Sequence, residues 1–110
     1  MCAGLAGTGH FRQALALRRA ELGDEHIDVA ISANDLAVIL RRLERYEEAE
    51  PLYRMVLDIR EKALGLDQPQ TANAAFWVSR ILDQQGRWLE AAEAMGRAVD
   101  IAALAFGQAD

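Results

Sequence analysis

Displaced by 42 positions, this chain falls on itself. Gly23 lands on Gly65 and Gly65 on Gly107; Leu22 lands on Leu64 and then Phe106; Leu17 lands on Ile59 and then Ile101. Tyr46 lands on Trp88, Glu48 on Glu90, Ala49 on Ala91, Asp58 on Asp100 and Ala63 on Ala105. A fixed period that keeps the same residue classes in phase is the signature of stacked repeats, in which each unit buries its apolar face against its neighbours.

The content of one period reads as two helices. Alanine and leucine abound, aromatics make up 6% of the chain and there are two prolines, a balance that favours helix over strand. Residues 1–9 hold Gly4, Gly7 and Gly9 and are expected to be a flexible, frayed start. A first helix is expected from about His10 to Leu22, with Phe11, Ala14, Leu15 and Leu17 at helical spacing and Gly23 as its stop. After a link in which Asp24 or Asp28 suits a helix start, a second helix runs from about Asp28 to Leu43. Glu44-Arg45 is a tight turn, and a third helix follows from Tyr46 to Leu64, with Pro51 early enough for its missing N–H to be tolerated. Pro69 opens a fourth helix that ends near Gln85; Gly86-Arg87 turns the chain into a fifth, from Trp88 to Phe106. Short links force antiparallel neighbours. The expected architecture is all-α: about five helices in antiparallel hairpin repeats, with a half repeat at 10–23 and repeats at 24–65 and 66–107. The first unit lacks its leading helix, so the expectation is either a piece of a longer array or a short form with an open end.

Small residues stand where two helices of a hairpin must approach closely: Ala37 and Ala49 in one unit, Ser79 and Ala91 in the next. Leu36, Leu40 and Tyr53, then Val78, Leu82 and Met95, fill the space around them. A plain helix bundle explains the amphipathicity but neither the echo nor this register.

A net charge of −5 argues against nucleic acid as the partner, since phosphate binding needs clustered lysine and arginine. The single cysteine, Cys2, excludes an internal disulfide, and a redox role for it has no support. The N-terminus has no basic segment ahead of an apolar core, so it is not read as a signal peptide. No apolar run approaches the roughly 20 residues of a membrane span. The expectation is a cytoplasmic protein. His10 and His26 stand apart from any other ligand at metal-binding spacing, so no metal is expected. Glu47, Glu48 and Glu50 open a helix, where carboxylates are favoured electrostatically and need no catalytic reason. Phosphate loops, nucleophile elbows and H-E-x-x-H are missing from the sequence, and neither an enzyme nor a cofactor is expected.

The segments Val29-Ala30…Asn34-Asp35-Leu36-Ala37 and Tyr46-Glu47-Glu48-Ala49-Glu50-Pro51-Leu52-Tyr53…Ile59-Arg60-Glu61-Lys62-Ala63-Leu64-Gly65 resemble a tetratricopeptide repeat of the long, kinesin-light-chain type. The link Asp24-Glu25-His26-Ile27-Asp28-Val29-Ala30 resembles that type as well. The resemblance covers roughly positions 11 to 107, closely in the first full unit and more loosely in the second. It implies a right-handed superhelix whose concave face, lined by the first helix of each hairpin, holds a peptide segment of a partner. Carried onto this chain, that face includes Ile31, Asn34, Asp35, Val38, Arg41 and Arg42, and from the next unit Asn73, Phe76, Trp77, Arg80, Asp83 and Gln84. The family's asparagine pair before Leu-Ala corresponds to Asn34-Asp35 here, but to Phe76-Trp77 in the second unit. An asparagine amide donates to and accepts from a peptide backbone, so its loss there changes the mode of binding.

Each of these residues also has a plainer reading. Asn34 is a peptide clamp or a solvated polar residue. Trp77 is an apolar anchor for a partner or a core tryptophan packed on the next helix. Arg41, Arg42 and Arg80 are a patch for acidic peptides or merely solvated, the first two suiting the negative end of their helix. Tyr46 and Trp88 read as packing residues at the hairpin turn. The functional expectation is a non-catalytic scaffold binding a peptide through Asn34, Asp35, Val38, Arg41, Asn73, Phe76, Trp77 and Arg80. The alternative is a homo-oligomerising module that uses exposed repeat ends or swapped hairpins, since Ile101, Leu104, Ala105 and Phe106 end the last unit without a polar helix over them.

Overall fold

A computed structural model describes the backbone of residues 3–107 and the side chains from Thr8 onward. Five helices follow one another: α1 (Ala3–Leu22), α2 (Ile27–Arg42), α3 (Tyr46–Leu64), α4 (Pro69–Gln84) and α5 (Trp88–Phe106). No strand occurs among the described residues. Extensive packing runs only between consecutive helices, as in a stack of hairpins. The chain is an all-α helical-repeat solenoid.

The breaks between helices follow backbone chemistry. Gly23 and Gly65, in phase with each other, take φ of 90° and 96°. L-residues resist that region, so glycine ends both helices there. The hairpin turns echo each other too: Glu44 has φ 61° and Gly86 φ 76°. Pro51 is the sixth residue of α3, beyond the first turn, so it removes one helical hydrogen bond; the exposed Glu47, whose carbonyl loses that partner, can be hydrated. Cap chemistry at α2 differs from the expectation. The N-cap is His26, whose Nδ1 accepts a hydrogen bond from the Asp28 amide at 3.0 Å, rather than Asp24 or Asp28. Asp28 lies in the first turn, where its charge still faces the positive end of the helix.

The main core joins α1 to α5, and a second, smaller cluster gathers Ala72 and Ala75 of α4 with Ala98 and Ile101 of α5. Ala37 and Ala49 are fully buried, Ser79 and Ala91 nearly so, with Leu36, Leu40 and Tyr53 around the first pair and Val78 and Leu82 around the second. Small side chains thus bring the two helices of each hairpin together, as the register requires.

Three expectations need correction. The first helix begins at Ala3 rather than near His10, so residues 3–9 are helical. Thr8 is buried there, and burial overrides the weak helix propensity of the neighbouring glycines. Leu17 is 64% exposed although its repeat partners Ile59 and Ile101 are buried; α1 packs on α2 alone, and no helix covers its other flank. Trp88 is 71% exposed, whereas Tyr46 in the same phase is half-buried against the core. α4 packs on α3, and no described helix follows α5 to pack on it in the same way. Cys2 lies outside the described residues.

Candidate functional site

The expected groove residues occupy one register of α2 and α4. Asn34, Val38 and Arg41 recur at i, i+4, i+7, and Asn73, Phe76, Trp77 and Arg80 at i, i+3, i+4, i+7, so each set shares a helix face. The structure brings four of them into contact. Trp77 is half-buried and stacks on the buried ring of Tyr53 from α3, with centroids 6.0 Å apart and planes 15° apart. The Arg41 guanidinium lies 4.5 Å from the Trp77 ring centre and donates from Nε to Tyr53 Oη at 3.1 Å. Phe76 meets Trp77 edge-on at 5.5 Å, and Arg80 stands over Phe76 at 6.0 Å. The result is a ladder, Arg41–Trp77–Phe76–Arg80, that bridges α2 and α4 through cation–π and aromatic contacts.

Asn34, Asp35, Val38 and Asn73 do not join the ladder. Asn34 and Val38 are half-buried, while Asp35 and Asn73 are exposed. The Asn34 amide makes no hydrogen bond to any described residue, so its donors and acceptor remain available to an incoming backbone. Arg41, Arg42 and Arg80 form no ion pair among the described residues, in contrast to Arg12, Arg19, Arg45, Arg54, Lys62, Arg87 and Arg97, each of which holds a carboxylate. Asp35 and Asp83 on the same two helices are likewise unpaired, so the face carries both signs.

Sequence reasoning missed the support behind Trp77. Tyr53 was legible as a space-filling residue, but its stacking on a ring one helix away is a long-range contact with no local signal. It also missed a network behind the hairpin turns. Glu50, 13% exposed, accepts hydrogen bonds from Gln85 Nε2 at 2.9 Å, from Arg54 at 2.8 Å and from Arg87. Burial pushes its carboxyl up, but the Gln85 and Arg54 hydrogen bonds and the charges of Arg87 and Arg54 outweigh burial and hold it below the usual glutamate range. Arg87 also pairs with Glu90 at 2.6 Å, and Arg45 repeats that pairing with Glu48 at 2.5 Å one unit earlier.

No group of histidine, cysteine, aspartate and glutamate suited to a metal ion occurs among the described residues. No described helix is long and apolar enough to cross a membrane. The stacked hairpins define a repeat protein of the α-solenoid class. The sequence model of the tetratricopeptide repeat matches residues 7–62 and again 29–103, spanning α1–α3 and α2–α5. The chain belongs to the tetratricopeptide repeat family, whose repeats generally mediate protein–protein interaction without catalysis. A comparison with curated proteins finds no match.

Proposed function

We propose that the chain is a non-catalytic scaffold whose α2–α4 face binds a peptide segment of a partner protein. The observation that carries this reading is the half-buried Asn34 amide with no internal partner, set on the same face as a rigid aromatic ladder. The amide bonds a peptide backbone; the exposed edge of Phe76 and the guanidinium of Arg80 supply side-chain contacts, on a platform whose rotamers are already fixed by packing. A period of 42 residues supports assignment to the kinesin-light-chain type. The net charge of −5 supports a protein rather than a nucleic-acid partner, and a cytoplasmic setting belongs to the same reading.

The test is binding to a displayed random-peptide library, with a variant carrying Asn34→Ala, Phe76→Ala and Arg80→Ala beside the parent. Trp77 is left intact because it supports α3 and its loss would confuse binding with folding. Peptides that bind the parent and weaken by about 1–2 kcal/mol on the variant establish the face as the site. Unchanged binding sinks the reading.

A second reading, self-association through the open flank of the last hairpin, is favoured by α5 alone. Trp88, Val99 and Phe106 are each more than half exposed, and Trp88 and Met95 border a depression of about 330 Å³ with Ser79 and Ala91. Mass measured by light scattering across a concentration series decides it: a monomer at high concentration removes it, and a dimer abolished by Trp88→Glu supports it.

A further inference from the structure

A cleft of about 760 Å³ lies off the α2–α4 face and shares none of its candidate residues. It lies between α3 and α5, floored by Ala75, Val78 and Leu82 of α4, with Leu57 on one wall and Ala94 on the other. Two ion pairs cross between the two walls: Glu50 of α3 to Arg87 just ahead of α5, and Glu61 of α3 to Arg97 of α5. Eleven helical steps separate Glu50 from Glu61, so the cleft between the bridges is roughly 16 Å long. A slot of that length matches about five residues of extended chain.

The repeat shows why the cleft is open. At the corresponding place one unit earlier, Leu52 and Met55 pack against the core, and Arg12 pairs directly with Glu48 at 2.8 Å. The residues in phase with Leu52, Arg54 and Met55 are Ala94, Gly96 and Arg97. The second unit has therefore lost apolar bulk over the same kind of floor. Gly96 is the clearest sign. It stands mid-helix, where glycine costs about 1 kcal/mol relative to alanine, yet a Cβ built there meets nothing within 4 Å. No contact inside the chain calls for a glycine at that position.

The rim is unbalanced in charge. Arg54, Arg87 and Arg97 are each held by Glu50, Glu90 or Glu61. Glu93 and Asp100, both on the α5 wall and exposed, form no ion pair among the described residues. Two uncompensated carboxylates above an apolar floor complement a segment with positive side chains and an apolar one between them. We infer that this cleft is a second peptide-docking site, on the flank opposite to the one that carries the Asn34 amide in sequence register, and that it takes a short basic segment of a partner protein: lysine or arginine toward Glu93 and Asp100, one large apolar side chain between the half-buried Leu57 and Ala94.

The experiment selects a displayed random hexapeptide library on the parent, with counter-selection on Gly96→Leu, which is expected to narrow the cleft and, from helix propensity, to unfold no earlier than the parent. Expected survivors carry at least two basic residues and one large apolar residue. They weaken about 3–10-fold on Glu93→Gln with Asp100→Asn, and bind the Asn34→Ala, Phe76→Ala, Arg80→Ala variant as they bind the parent. Failure to obtain any peptide that separates the parent from Gly96→Leu, or survivors that are acidic, overturns the inference; so does loss of binding on the α2–α4 variant. Should Gly96→Leu disturb α5, selection against the charge-neutral pair Glu93→Gln, Asp100→Asn carries the same test.

Discussion

Glu44 is the residue whose backbone works against its side chain. Its φ of 61° lies in the left-handed region, which costs an L-residue roughly 1–2 kcal/mol, while Gly86 holds the same turn position one repeat later without that cost. Glycine is also more flexible in the unfolded chain, which takes back part of the gain. Glu44→Gly is therefore expected to raise unfolding stability by about 0.5–1 kcal/mol in a urea titration with an unchanged m-value. A loss of stability would mean that the Glu44 side chain makes a contribution its exposure does not suggest. Glu50 sets a pH dependence. Its carboxyl is held below the ordinary range in the folded chain, so its contribution is present above the unfolded glutamate pKa and is lost as pH falls through the folded one. Acidification from neutral to about pH 3 should thus lower stability, and Glu50→Gln should remove about 1–2 kcal/mol at neutral pH and flatten the curve on the acid side. An acid limb as steep in Glu50→Gln as in the parent would assign it to other carboxylates.

At the scale of the element, the links between repeats are not equivalent. Thr71, fully buried at the start of α4, donates from Oγ1 to the Gly65 carbonyl at 2.8 Å, tying α4 to the end of α3. The residue in phase with it is Val29, equally buried. Valine therefore fits the shape of this site, and Thr71→Val isolates the hydrogen bond; a loss of about 1–2 kcal/mol is expected by thermal or urea unfolding, because the Gly65 carbonyl is left without that donor. A neutral result would show the carbonyl to be hydrated. The period and the glycines made α2 to α5 legible almost to the residue, since a left-handed helix end leaves a mark in the sequence. What the register cannot convey is whether a neighbour exists. It told that Leu17 and Trp88 point as Ile59 and Tyr46 do, yet both are exposed because α1 and α5 each lack a helix on one flank. The burial of Thr8 that extends α1 and the stacking of Trp77 on Tyr53 depend on contacts across the chain that no local pattern encodes, whereas the His26 cap is local, a bond to the amide two residues on, made by a residue outside the usual capping set. The candidate face was legible as a set of positions, not as a ladder.

For the whole molecule, stability should be graded along the stack rather than uniform. The extents of 49 × 34 × 18 Å describe an elongated body in which each helix relies on its immediate neighbours. Such a stack behaves as a sum of unit stabilities and nearest-neighbour interfaces, so a terminal helix with one interface opens before a central helix with two. α1 has one. Beyond its packing on α2 it is tied to the rest by exposed ion pairs such as Arg12 to Glu48, and exposed pairs contribute at most about 1 kcal/mol each. α3 has two interfaces and supplies Tyr53, Val56 and Ile59 to the core. Amide hydrogen exchange should therefore find α1, at Leu15 and Ala16, opening at least about 2 kcal/mol more easily than α3 at Tyr53 and Val56. Arg12→Met should change that gap by no more than about 1 kcal/mol, because the apolar contacts of Phe11 and Leu15 hold the helix rather than the charge. Equal protection in α1 and α3 would show that the whole stack opens as a single cooperative unit.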